Sequence, residues 1–190
     1  MESIIIILVY MILGIYFYKL YKSEIKKNQE KIKQFANTEK LLDYQELIHI
    51  AGHPYINANE KIILSINNKN FLCFYKIRNS ELISYKEIEK LPISKIPINQ
   101  ITRYELKTES EIQKDVTLTR LLALGIFAFG LKKKTEINNT YLILSYVQNN
   151  VPIDCIFKNT VNNQQLGNII STLNRLKIEQ NNIENNYKTV

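Results

Sequence analysis

The stretch Lys61–Ile77, "KIILSINNKNFLCFYKI", decides the fold class. Ile62, Leu64 and Ile66 fall on one face of an alternating run, and Phe71, Cys73, Tyr75 and Ile77 do the same after it. A period of two is the signature of a strand, because successive side chains leave a pleated backbone on opposite sides. Between the runs lies "NNKN", and Asn tolerates the left-handed backbone that a tight reversal needs. The segment predicts an antiparallel hairpin.

The same reading extends toward the carboxy terminus. "IPINQI" (96–101) and "TRYELKT" (102–108) suggest further strands, kinked where Ile98 to Ile101 breaks the alternation. Pro92 and Pro97 lack an amide donor and push that region toward a sheet edge. "TYLILSYV" (140–147) is apolar on both faces, as a central strand is, and "VPIDCIFKN" (151–159) alternates through Val151, Ile153, Cys155 and Phe157. The period then changes. Val161, Leu166, Ile169, Ile170, Leu173 and Leu176 share one helical face, which predicts a closing helix over about 160–177 with Asn159 or Thr160 as its N-cap. Residues 179–190 are Asn-rich and read as a frayed, disordered tail.

The amino-terminal end differs. Ile4–Tyr18 is uninterrupted apolar sequence, and Leu20 and Tyr21 extend it past Lys19. As a helix, Ile4–Tyr21 is roughly 27 Å long, close to the hydrocarbon core of a bilayer, with Lys19 able to snorkel. A secretory signal would start with basic residues and end at small ones. Here Glu2 precedes the run and "YKLYKS" follows it, so residues 1–21 are expected to be an uncleaved anchor. Lys19, Lys22, Lys26 and Lys27 follow the span, and no basic side chain precedes it. By the positive-inside rule, the amino terminus is expected outside and the rest in the cytoplasm, as a single-pass protein of the inner membrane. Residues 22–46 read as a basic, helical juxtamembrane stalk. Tyr21, Ile25, Asn28, Ile32 and Phe35 share a face, but two heptads fall short of a coiled coil.

Residues 47–178 remain as one folded domain. Lys and Arg number 25 against 18 Asp and Glu, a net charge of +7 that suits an anionic surface. Cys73 and Cys155 show neither C-x-x-C spacing nor disulfide-scaffold crowding. They read as reduced, half-buried strand residues, a bridge being the lesser reading. Several antiparallel strands followed by one amphipathic helix indicate an α+β, mainly β domain: a partly open antiparallel barrel capped by a carboxy-terminal helix.

Three segments carry a resemblance: "HIAGHPYINANEKIILSINNKNFLCF" near the first strands, "DVTLTRLLALGIFAFGLKKK" in the middle, and "YLILSYVQNNVPIDCIFKN" before the last helix. Over about residues 48–177 the chain resembles bacterial pleckstrin-homology-like (PH-like) proteins of unknown function. That resemblance implies a seven-strand barrel closed by a helix, often membrane-tethered, used for docking and lacking catalytic chemistry. Phosphoinositide-binding PH domains use a basic loop between their first two strands. The equivalent "AGHPYINANE" has no Lys or Arg before Lys61, so headgroup recognition of that kind is not expected.

The middle segment holds the candidate contact site. Leu121–Leu131 carries no charge, and Arg120, Lys132, Lys133 and Lys134 bound it. Leu121, Leu122, Ile126, Phe127 and Phe129 either pad the barrel's own core or form a finger that dips into the bilayer interface while the cations meet phosphates. A protein-docking patch is a third reading. Candidates for other chemistry are thin. His49 and His53 have metal-ligand spacing only on a helix, and Pro54 argues against helix there, so they read as ordinary polar residues near a strand end. Glu109, Glu111 and Asp115 read as a solvated loop. The glycines form no phosphate cradle, and no nucleic-acid-binding motif appears. The expectation is a non-enzymatic docking module at the cytoplasmic face, without cofactor or metal. It contacts lipid or an unidentified protein partner, and nucleic acid is not expected. Alternatives are an adaptor that binds a peptide at a sheet edge, or an accessory subunit of an enzyme.

Overall fold

The hairpin is present. In the computed structural model, β2 (Lys61–Asn67) pairs with β3 (Phe71–Asn79) in the register Ile62↔Lys76 to Ile66↔Leu72. The structure describes residues 2–79, 86–108, 111–112, 140–159 and 163–188. The Asn67 side-chain carbonyl accepts from the amides of Lys69 and Phe71, both at 3.0 Å, and Asn70 takes a left-handed φ of 60°. These are the two ways in which Asn favours a turn.

The other elements are α1 (Glu2–Thr38), β1 (Leu41–Ala51), β4 (Lys86–Ile88), β5 (Ser94–Pro97), β6 (Ile101–Thr108), β7 (Thr140–Gln148), β8 (Val151–Asn159) and α2 (Asn163–Lys188). All pairings are antiparallel. Seven strands follow the path β4-β3-β2-β1-β8-β7-β6, and β5 pairs with β3 alongside its first residues. Among the described residues no pairing joins β6 to β4, so the sheet is open. The kink expected at Ile98–Ile101 is a 3₁₀ turn, Ile98–Gln100, that joins β5 to β6. Asn149 and Asn150, at φ 50° and 63°, make the two-residue β7–β8 turn, with Gln148 opposite Val151. Positive φ at both positions is the reversal whose twist suits flanking strands.

The main core lies between the inner sheet face and α2. Ile62, Leu64, Ile66, Leu72, Phe74, Leu142, Leu144, Cys155 and Phe157 face Leu166, Ile169, Leu173 and Leu176 there. The expected helical face is therefore the one that packs. Polar contacts fix its registration: Thr172 bonds Asp43, Tyr104 donates to Asn174 at 2.6 Å, and Lys177 donates to the carbonyl of Ile101. The Lys177 ammonium also lies 5.2 Å from the Tyr104 ring centre, and its burial lowers its pKa.

Four expectations differ from the structure. The stalk of residues 22–46, expected to lie outside the folded domain, is partly built into it, because Ala36 is buried and Ile32 and Phe35 pack against the outer face of β2 and β3. That face carries Ile63, Cys73, Tyr75 and Ile77 and would otherwise expose apolar surface to water. β1 begins at Leu41, so the stalk boundary drawn at residue 46 falls inside a strand. Lys40, at φ 52°, reverses the chain out of α1 in the left-handed conformation that commonly ends a helix. At the other end α2 continues to Lys188, through the stretch read as a disordered tail, since extending a nucleated helix costs far less than starting one. The cysteines are free and fully buried rather than half-buried, because the strands that carry them are covered on both faces. Asn159 lies in β8, and Thr160 and Val161 lie outside the described residues.

Candidate functional site

The candidate site follows from the two halves of α1, which have opposite environments. From Ile6 to Tyr21 the described apolar side chains point to solvent, with Tyr10 at 71% and Ile12 at 64% exposure. They lie on every side of the helix, since Val9 to Tyr18 includes ten consecutive exposed positions. A helix that is apolar all round belongs in a protein core or a membrane. Among the described residues no helix is long and apolar enough to cross a membrane.

Next come Lys19, Lys22, Lys26 and Lys27, all exposed on the middle of α1. Below them a groove of about 390 Å³ opens between α1 and β1, lined by Lys26, Gln29, Glu30, Ile32 and Lys33 on one side and Tyr44, Gln45 and Glu46 on the other. The stripe Lys26–Gln29–Glu30–Lys33 has helical spacing, so one face of α1 forms the groove wall. The mixed charges and shallow apolar floor suit a surface contact rather than the enclosure of a small molecule. Glu30 and Glu46 beside two lysines make the groove itself nearly neutral. Past it, the Phe35 ring meets the Tyr75 ring edge-on at 4.9 Å, and burial, with Cys73 and Glu39 nearby, pushes the Tyr75 phenol up to about 12.

The second constellation is internal. His49 and His53, read from sequence as ordinary polar residues near a strand end, are buried. The His53 amide donates to Nε2 of His49 at 3.1 Å, so the His49 proton sits on Nδ1, 3.0 Å from the carbonyl of Asn57. The Tyr55 amide donates to Nδ1 of His53 at 3.2 Å, leaving the proton on Nε2. The two rings thus hold the backbone of the loop between β1 and β2. The sequence could not show this, because the partners are main-chain atoms of a loop with no helical or strand period. His53 Nε2 has no hydrogen-bond partner among the described residues and packs 4.9 Å from the Phe74 ring. Burial, with the charge of His49 second, lowers the His53 pKa to about 4. Tyr146, also buried, sits beside the Cys155 thiol, and burial raises both groups, Cys155 to about 12. Neutral and shut away from water, His53, Tyr146 and Cys155 are suited to structure.

Gly52 begins the same loop at φ 100°. A Cβ there would lie 1.8 Å from the carbonyl oxygen of Asp154 on β8. Only a residue without a side chain lets the loop cross β8 so closely.

The candidate contact residues Arg120, Leu121, Leu122, Ile126, Phe127, Phe129, Lys132, Lys133 and Lys134 lie outside the described residues. Among the described residues no group of three or more His, Cys, Asp or Glu is placed to hold a metal ion. The four lysines named from sequence lie on α1 beside the groove, which sequence reasoning missed because Tyr44, Gln45 and Glu46 carry no motif. No protein-family model matches this chain, and no curated protein matches it significantly.

Proposed function

We propose that the chain is a non-enzymatic, membrane-tethered docking module whose PH-like domain works at the cytoplasmic face of the inner membrane. One observation carries the reading. α1 exposes its described apolar side chains on all sides from Ile6 to Tyr21, yet its last turns are part of the domain's packing. Exposing that much apolar surface to water is costly, at about 25 cal/mol per Å², and a bilayer removes the cost. The sequence Ile4–Tyr21 has the length of a span, and the lysines after it orient it. The mainly β domain with its packed carboxy-terminal helix is consistent with the PH-like resemblance. His49 spends both ring nitrogens on loop backbone, which favours binding over catalysis.

Single cysteines at Ser3 and in residues 181–190, labelled with a membrane-impermeant reagent in intact cells, test the proposal. Ser3→Cys is expected to react and the carboxy-terminal position is not. The reverse pattern, or release of the protein by alkaline carbonate, overturns it.

A second reading rests on β6, whose strand partner among the described residues is β7 alone. An extended peptide adds to such an edge. The row Arg103, Glu105 and Lys107 on β6 is charged, as guarded edges are, and this places peptide addition second.

A further inference from the structure

By sequence, the segment between span and domain reads as a basic, helical stalk outside the folded domain. The structure assigns it a different part. α1 is unbroken from Glu2 to Thr38. Its end is held by Ile32 and Phe35 against the outer face of β2 and β3, and Ala36 is buried. After the reversal at Lys40, β1 returns along the helix it left. Tyr44 packs in the cluster with Ile32 and Phe35, and Glu46, two residues on, shares the groove with Lys26 and Glu30. The domain therefore reaches at least as far up α1 as Lys26.

Lys26 is five residues past Tyr21, roughly 7.5 Å along the helix. One headgroup layer is about 5–8 Å thick, from a bilayer of ~40–45 Å that encloses a ~30 Å hydrocarbon core. The gap between span and domain is thus at most about one headgroup layer deep. Lys22, Lys26 and Lys27 lie within or at the edge of that gap, Lys19 snorkels toward it from the end of the span, and Glu24 is the one acidic residue among them. Such basic side chains favour an anionic leaflet by about 1 kcal/mol each.

We infer that α1 is a rigid strut that seats the domain flush on the anionic headgroup layer in one orientation, so the contacting surface is the flank of the α1–β1 groove at Lys22, Lys26 and Lys27. The inference rests on the anchor reading above, but its mechanical part does not need a membrane. A flexible tether lets a domain sample all orientations. A helix clamped along one flank does not.

The test uses the full chain in liposomes containing anionic lipid, and in detergent. Spin labels at Ser23→Cys and Lys69→Cys report the distance from strut to the β2–β3 turn. The wild-type background is expected to give a narrow distribution in both media. A helical insertion of seven residues after Ser23 keeps the rotational register within about 20° and lifts the domain by about 10 Å. A donor at Lys69→Cys should then lose energy transfer to headgroup-labelled acceptor lipid. A flexible Gly-Ser insertion of equal length is expected to broaden the distance between donor and lipid surface while leaving the protein folded. A broad Ser23–Lys69 distribution in detergent overturns the strut whether or not the anchor holds. Failure to co-sediment with liposomes overturns the anchor reading and leaves the detergent result to judge the clamp. Unchanged transfer after the helical insertion, in protein that does co-sediment, overturns the flush seating.

Discussion

The Phe35 ring on α1 meets the Tyr75 ring on β3 edge-to-face, with centroids 4.9 Å apart and planes at 80°. This is the geometry that the aromatic quadrupole prefers, and it joins the last turn of the amino-terminal helix to the outer face of the hairpin. Phe35→Ala is expected to destabilise the domain by about 2–3 kcal/mol, below the range for a fully buried ring because Phe35 keeps some exposure. Urea unfolding of a fragment starting at Glu24 measures it. A fragment starting at Thr38 lacks the whole clamp and should be less stable still. Equal midpoints for the two fragments would show that α1 does not contribute to the fold.

Gly52→Ala should be among the most damaging single substitutions. The new methyl would overlap the Asp154 carbonyl, and the backbone would stay at φ 100°. Relief requires parting β1 from β8 or bending the loop, and a loss of more than about 3 kcal/mol is expected. Thermal melts of the Ala variant test this; a melting temperature within a degree of wild type would refute the close approach.

Acid should weaken the domain through His53. Its folded pKa is lowered to about 4 from an ordinary 6.5, so the unfolded chain binds a proton first as pH falls. The stabilisation is complete above about pH 6.5 and is lost progressively down to pH 4, up to about 3 kcal/mol. Carboxylates ordinarily titrate near pH 4 as well, so the informative comparison is with His53→Phe. That variant should flatten the stability profile between pH 6.5 and 5. An unchanged slope would mean that His53 is not held neutral.

The β7–β8 turn offers a stabilising change. Asn150 sits at φ 63° as the second turn residue, the position where Asn-Gly is strongly favoured. Asn150→Gly is expected to be neutral or to raise stability by a few tenths of a kcal/mol, whereas Asn150→Val should cost about 1 kcal/mol or more. Should Val be tolerated as well as Gly, the reversal has another form.

Local chemistry made much of this architecture legible from the chain alone. The alternation around "NNKN" specified β2 and β3, because turn residues and a period of two act within a few positions of each other. Leu166, Ile169, Leu173 and Leu176 specified the buried face of α2 for the same reason. Tertiary structure decided what covers each face. The run Phe71, Cys73, Tyr75 and Ile77 is equally consistent with an inner or an outer sheet face, and only the return of α1 over it makes it the floor of a second cluster. Ile32 and Phe35 could have formed a seam with another helix; they are used instead within the chain. The histidines show the limit most clearly. His49 and His53 read as polar residues near a strand end because nothing local announces that the loop folds back over them. Their burial comes from contacts with Phe74 and Phe157, on strands far along the sequence. Periodicity reports which side a residue faces, while burial depends on what distant chain arrives there.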